Sequence, residues 1–175
     1  MHHQPRKKHR LDKNVYKEPL AATVTILTSK RHHAFVDQKT VHMCKNILKD
    51  LSDKHNWLVH IYCFMPDHFH MLVETKQDND LLAFVRSFKQ KTGYLYKNLT
   101  PDVRYATQDV RSKEPDVTLW QRSWVDHLIR DEKSFKDALY YILMNPVKDG
   151  LINDPFKYTS TGSLVYSDLR NALDL

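Results

Sequence analysis

Apolar and polar positions along the chain change period in a definite order. From Ala21 to Thr28 β-branched residues alternate with others, which predicts a first strand. Behind an N-cap at Asp37, Val41, Cys44, Ile47, Leu48 and Leu51 recur at helical spacing to about Lys54. Trp57 to Phe64 is apolar on both parities, the pattern of a strand buried on both faces. Met65-Pro66-Asp67 breaks it, and His68 to Thr75 returns directly as the second arm of a hairpin. Asn79 or Asp80 is placed to cap a second helix whose buried stripe is Leu81, Phe84, Val85 and Phe88. Thr100 to Asp116 is polar without a period and predicts an exposed loop. Thr118 to Ile129 contains a strand with Trp120 and Trp124 on one parity. The last helix should start near Asp131 and end by Asn145-Pro146, where proline opposes continuation.

Strand, helix, strand, strand, helix, strand, helix is the order of an α+β, ferredoxin-like (split βαβ) fold with an antiparallel sheet and one added C-terminal helix. The 175 residues are then divided into a basic arm at 1–18, one domain at 19–152 and a tail at 153–175 that ends in a short helical stretch. The net charge of +6 and a pI near 9.2 favour a polyanionic partner. Arg6, Lys7, Lys8 and Arg10 concentrate that charge in the arm, and Arg86 and Lys89 decorate the second helix. Only three glycines leave no room for a phosphate-cradling or dinucleotide-binding loop, so no nucleotide cofactor is expected. Cys44 and Cys63 fall in core-facing segments and read as reduced, buried thiols. With no apolar run long enough for a signal or a membrane span, the expected location is cytoplasmic, with no membrane partner.

The chemistry-bearing positions lie on two elements. On the strand after the hairpin turn, His68 and His70 point one way while Phe69, Met71 and Val73 point the other. Two imidazoles about 7 Å apart along a strand are able to converge on one divalent ion. An accidental pair among 11 histidines is the alternative. On the last helix, Phe135, Ala138, Leu139, Ile142 and Leu143 form the buried stripe and leave Tyr140 and Tyr141 on opposite flanks. Tyr141 shares its flank with Asp137 and Asn145, and Tyr140 shares its own with Lys136 and Met144. From periodicity alone, both tyrosines are also compatible with ordinary helix-edge packing.

Pro66-Asp67-His68-Phe69-His70, the Trp120-Gln121 strand and the run from Tyr141 through Asn145-Pro146-Val147-Lys148 to Gly150-Leu151 together resemble the REP-associated tyrosine transposases. These are relatives of the single-tyrosine transposases of the smallest bacterial insertion sequences, within the HUH nuclease superfamily. The resemblance covers about residues 20 to 160 and leaves the arm, the 100–117 loop and the tail unmatched. It implies that His68, His70 and Asn145 hold a divalent ion, Mg²⁺ or Mn²⁺, and that Tyr141 is the nucleophile. The implied activity is metal-dependent single-strand DNA cleavage and strand transfer through a 5′-phosphotyrosine, on hairpin or REP-like DNA. A domesticated, non-catalytic hairpin binder is the alternative. Lys148 joins the DNA-binding candidates through this motif, and Trp120, with Tyr94 and Tyr96, as a platform for unpaired bases. Monomer and homodimer are both compatible with it.

Overall fold

The computed structural model describes residues 20–75, 80–99 and 118–173. The arm with Arg6, Lys7, Lys8 and Arg10, the 100–117 loop and Asn79 lie outside the described residues. Five strands form one antiparallel sheet: β1 (Leu20–Leu27), β2 (Leu58–Met65), β3 (His68–Thr75), β4 (Val125–Ile129) and β5 (Thr161–Gly162). Their spatial order is β4-β1-β3-β2-β5. The first four are in ferredoxin-like order, and β3, with the two histidines, is central. Pro66 and Asp67 make the whole β2–β3 turn, pairing Met65 with His68.

Helices α1 (Gln38–His55) and α2 (Leu81–Leu99) cover one face of the sheet. Asp37 caps α1 by accepting from the backbone N–H groups of Lys39 and Thr40, and Asp80 caps α2 by accepting from those of Leu82 and Ala83. Under them lies the large core. Ala22, Val24, Ile26, Phe64, Phe69, Met71 and Val73 of the sheet meet Cys44, Leu48, Leu51, Phe84, Val85 and Phe88 of the helices. Phe69 is completely buried, its ring stacked on Phe64 at 4.4 Å and tilted against Phe88 at 5.2 Å.

Helix α3 (Glu132–Lys148) lies on the opposite face, where Leu139, Ile142 and Leu143 pack onto Ile61, Cys63, Met65 and Leu72. A register shift between Val59 and Ile61 places Val59 and Tyr62 in the first core and Ile61 and Cys63 in the second. Burial drives the Cys63 thiol pKa up to about 12, while its hydrogen bond with Thr161 works the other way, and both cysteines are free. The segment read as a tail adds β5 against β2, and Phe156, Tyr158, Tyr166 and Leu169 close the second core.

Three sequence expectations are corrected. Trp120 is not in a strand of its own: it makes a single bridge to Thr28, and β4 begins only at Val125. Its ring is 8 % exposed, packed between Phe35, Phe69 and Phe88, and its indole N–H donates to Thr92 Oγ1, so it is a core residue and offers no surface to a base. Pro146 does not end α3. A proline in the final turn forfeits one helix hydrogen bond, and the helix continues because the Asp149 and Leu151 amides donate back to the Asn145 and Pro146 carbonyls.

Candidate active site

The site is built where α3 crosses the first half of β3. His68 and His70, on one face of β3, have ring centroids 4.6 Å apart, nearly perpendicular. The packing of Leu139, Ile142 and Leu143 brings α3 over them, and His70 is only 7 % exposed. Burial, reinforced by the His68 charge, pushes the His70 pKa down to about 3, so this imidazole is neutral across the physiological range.

Each ring is held by its Nδ1. His68 Nδ1 is 2.6 Å from Asp67 Oδ1, and His70 Nδ1 is 2.8 Å from Thr25 Oγ1. Thr25 reaches His70 because the β1–β3 register sets the two residues opposite each other. Holding Nδ1 leaves each Nε2 as the nitrogen that could coordinate an ion, the arrangement in which an outer partner orients a metal-binding histidine. Asp67 also pairs with Arg31, its Oδ2 2.7 Å from Arg31 Nε. Partial burial would raise the Asp67 pKa, but the hydrogen bond and charge of His68, together with the charge of Arg31, outweigh it and hold the carboxyl below its ordinary value.

Tyr140 and Tyr141 are equally exposed, at 51 % and 50 %, so exposure does not tell them apart. The ring contact does. Tyr141 stands 6.0 Å from His70, edge to face. One turn later Asn145, 7 % exposed, donates from Nδ2 to the Tyr141 carbonyl, which turns Oδ1 into the acceptor available to a cation. Among the described residues no three His, Cys, Asp or Glu side chains form a metal cluster. Two imidazole nitrogens and one amide oxygen nevertheless suit a divalent ion that keeps water ligands, so the residues present fit Mg²⁺ or Mn²⁺.

The continuation of α3 past Pro146 matters here. Lys148 is seven residues beyond Tyr141, on the same helix face, and its Nζ lies 4.5 Å from the Tyr141 ring centroid. The model for transposases described as IS200-like matches residues 18–143, most of the chain, all of the strand carrying His68 and His70 and the part of α3 carrying Tyr141.

The chain belongs to the IS200-like transposase family. A REP-associated tyrosine transposase of Haemophilus influenzae is 36 % identical over 90 residues, which are 51 % of this chain and 49 % of that relative. The aligned part thus spans about half the length of the curated relative. A solved REP-associated tyrosine transposase, bound to a REP hairpin, superposes with a TM-score of 0.65 over 92 % of this chain and 82 % of its own. At 15 % identity that likeness speaks for the fold. Asn145 and Lys148 lie just beyond the matched stretch, so within this IS200-like domain their place at the site rests on the course of α3.

The remaining sequence candidates are dispersed. Lys89 Nζ is 2.8 Å from each of the Gln121 and Arg122 carbonyls and stands over the Trp124 ring, an internal tie between α2 and the approach to β4 rather than a surface cation. Arg86 is exposed on α2. Tyr96 is 5 % exposed and contacts His32, so it presents no ring to a base, whereas Tyr94 is 70 % exposed. Thr25 and Arg31 escaped the sequence reading. A threonine in a strand and an arginine in a turn carry no local signal; the β1–β3 register and the hairpin turn bring them to the histidines.

Proposed function

We propose that the protein is a metal-dependent single-strand DNA endonuclease and strand transferase that works through a 5′-phosphotyrosine on Tyr141. The observation that carries this reading is the Tyr141 ring 6.0 Å from His70, with His68 beside it and Asn145 one helical turn on. His68, His70 and Asn145 would hold the ion, which when bound supplies positive charge to the non-bridging phosphate oxygens and favours the phenolate over the phenol.

The remaining work falls to the chain. Tyr141 gives up its phenolic proton to solvent and its oxygen attacks phosphorus; the bond from phosphorus to the 3′ oxygen breaks, and that oxygen takes a proton from solvent to become a free 3′-hydroxyl. One phosphoester replaces another, so no nucleotide hydrolysis is needed, and a 3′-hydroxyl attacking the phosphotyrosine reverses the step to join strands. Asp67 and Thr25 keep the two imidazoles in one orientation throughout. Lys148, over the Tyr141 ring, is placed to draw the phosphate toward the nucleophile.

By the likeness in fold to a protein bound to a REP hairpin, the substrate is DNA with a hairpin beside an unpaired strand. The experiment is to incubate the full chain with Mn²⁺ and an end-labelled hairpin oligonucleotide carrying a single-stranded extension. A covalent adduct mapped by mass spectrometry to Tyr141 is the expected result. Tight hairpin binding without an adduct would make the protein a binder that has lost its chemistry.

A further inference from the structure

The geometry points to Arg31 as a phosphodiester-binding residue that couples the DNA backbone to the orientation of His68. The inference rests on the strand-transferase reading for its substrate, but its core is a chain of contacts from Arg31 through Asp67 to His68. The turn after β1 takes an unusual path. Lys30 and Arg31 both have positive φ, 51° and 58°, a conformation that non-glycine residues adopt at a cost and that persists only where surrounding contacts impose it.

Those contacts come from Thr28, Ser29 and Phe35. Thr28 is fully buried; its backbone N–H and its hydroxyl both reach the Asp67 carbonyl, and the hydroxyl is also 2.7 Å from the His32 carbonyl. The Ser29 amide donates to the Leu119 carbonyl and the Phe35 amide to the Pro66 carbonyl. The turn is therefore stitched to the β2–β3 hairpin, and the Arg31 side chain meets Asp67 as a consequence.

Arg31 uses only Nε in that pair. Its side chain is 53 % exposed, and among the described residues its two terminal nitrogens have no other ion partner. A guanidinium whose Nε is spent on a carboxylate still offers its outer edge, two parallel N–H donors, to two oxygens of one phosphate. Lys30 and His33 flank it, both exposed. The same Asp67 that holds Arg31 through Oδ2 holds His68 through Oδ1. A phosphate bound at Arg31 thus sets the carboxylate that sets the imidazole. A cation serving solubility alone would not need a strained turn and a carboxylate shared with a metal-binding histidine.

The test uses the full chain, Arg31→Met and Arg31→Lys, with a fluorescent hairpin oligonucleotide bearing a single-stranded extension, and Mn²⁺ followed by its electron paramagnetic resonance signal. Arg31→Met should fold with an unchanged circular dichroism spectrum, lower the slope of log affinity against log salt by about one, and weaken Mn²⁺ binding by about tenfold. Arg31→Lys should recover the salt slope but not the Mn²⁺ affinity, because lysine keeps the charge and loses the Nε donor that holds Asp67 Oδ2. In a series of oligonucleotides each with one methylphosphonate linkage, one linkage should cost affinity in wild type and cost nothing further in Arg31→Met. If folded Arg31→Met keeps both the wild-type salt slope and the wild-type Mn²⁺ affinity, or if no linkage shows that pattern, the inference is overturned. None of these readouts requires cleavage. Absence of a Tyr141 adduct in wild type would defeat the strand-transferase reading while leaving the Arg31 result to stand or fall separately.

Discussion

The two faces of the central sheet solve different problems with the same strands. On the α1/α2 face, Phe64, Phe69, Met71 and Val73 lie among aromatic and aliphatic neighbours in a continuous apolar core. On the α3 face the apolar cluster is smaller, and Thr25, His60, His68, His70 and Asn145 stand beside it. Strand alternation forces the division, since each residue of β3 serves one face only. The buried polar groups on the α3 face are tolerable because each has a partner, such as Thr25 for His70, Asp67 for His68 and Glu74 for His60. The α1/α2 face carries the larger apolar core, and the α3 face carries the smaller one with the paired polar groups beside it.

The largest effect should come from the proposed nucleophile. Tyr141→Phe removes one oxygen from a half-exposed side chain and should lower adduct formation by about 10⁴-fold or more without changing thermal stability, as expected for the loss of a nucleophile. Tyr140→Phe, with equal exposure and no ring contact to the histidines, should stay within about threefold of wild type, because attack requires the reacting atoms within about 3 to 3.5 Å. Gel separation of denatured protein–DNA adducts, quantified for both variants, decides between the flanks.

The next effect is on stability and should fall on one face only. Phe69→Ala should cost about 3 to 5 kcal/mol in urea unfolding, while His70→Ala, two positions away on the other face, should cost about 1 kcal/mol and abolish Mn²⁺ binding. Equal losses of stability at the two positions would mean that the faces are not specialised. Thr25→Val keeps shape and removes the hydroxyl on His70 Nδ1; it should weaken Mn²⁺ affinity about 10- to 100-fold by calorimetric titration and leave the fold intact. The smallest effect belongs to Lys148→Met, which should weaken hairpin binding a few fold and reduce the salt slope by about one in a fluorescence titration series.

Local pattern carried the element order, the hairpin at Pro66-Asp67, the division of β3 into His68/His70 and Phe69/Met71/Val73 faces, and the last helix with both tyrosines, because each depends on a period of two or 3.6 residues that the chain itself displays. Long-range packing decided the rest. Which tyrosine faces the histidines depends on how α3 is rotated on Ile61, Cys63, Met65 and Leu72, and its local periodicity leaves both flanks open. Trp120 and Tyr96 resembled stacking platforms until the large core enclosed them. Lys148 reaches Tyr141 only because the amides beyond Pro146 let the helix continue, a balance between one lost hydrogen bond and the Asp149 and Leu151 bonds that follow it, which the proline alone does not reveal. Thr25 and Arg31 meet the histidines through strand register and turn contacts between segments about 40 residues apart in sequence, where no short-range signal reaches.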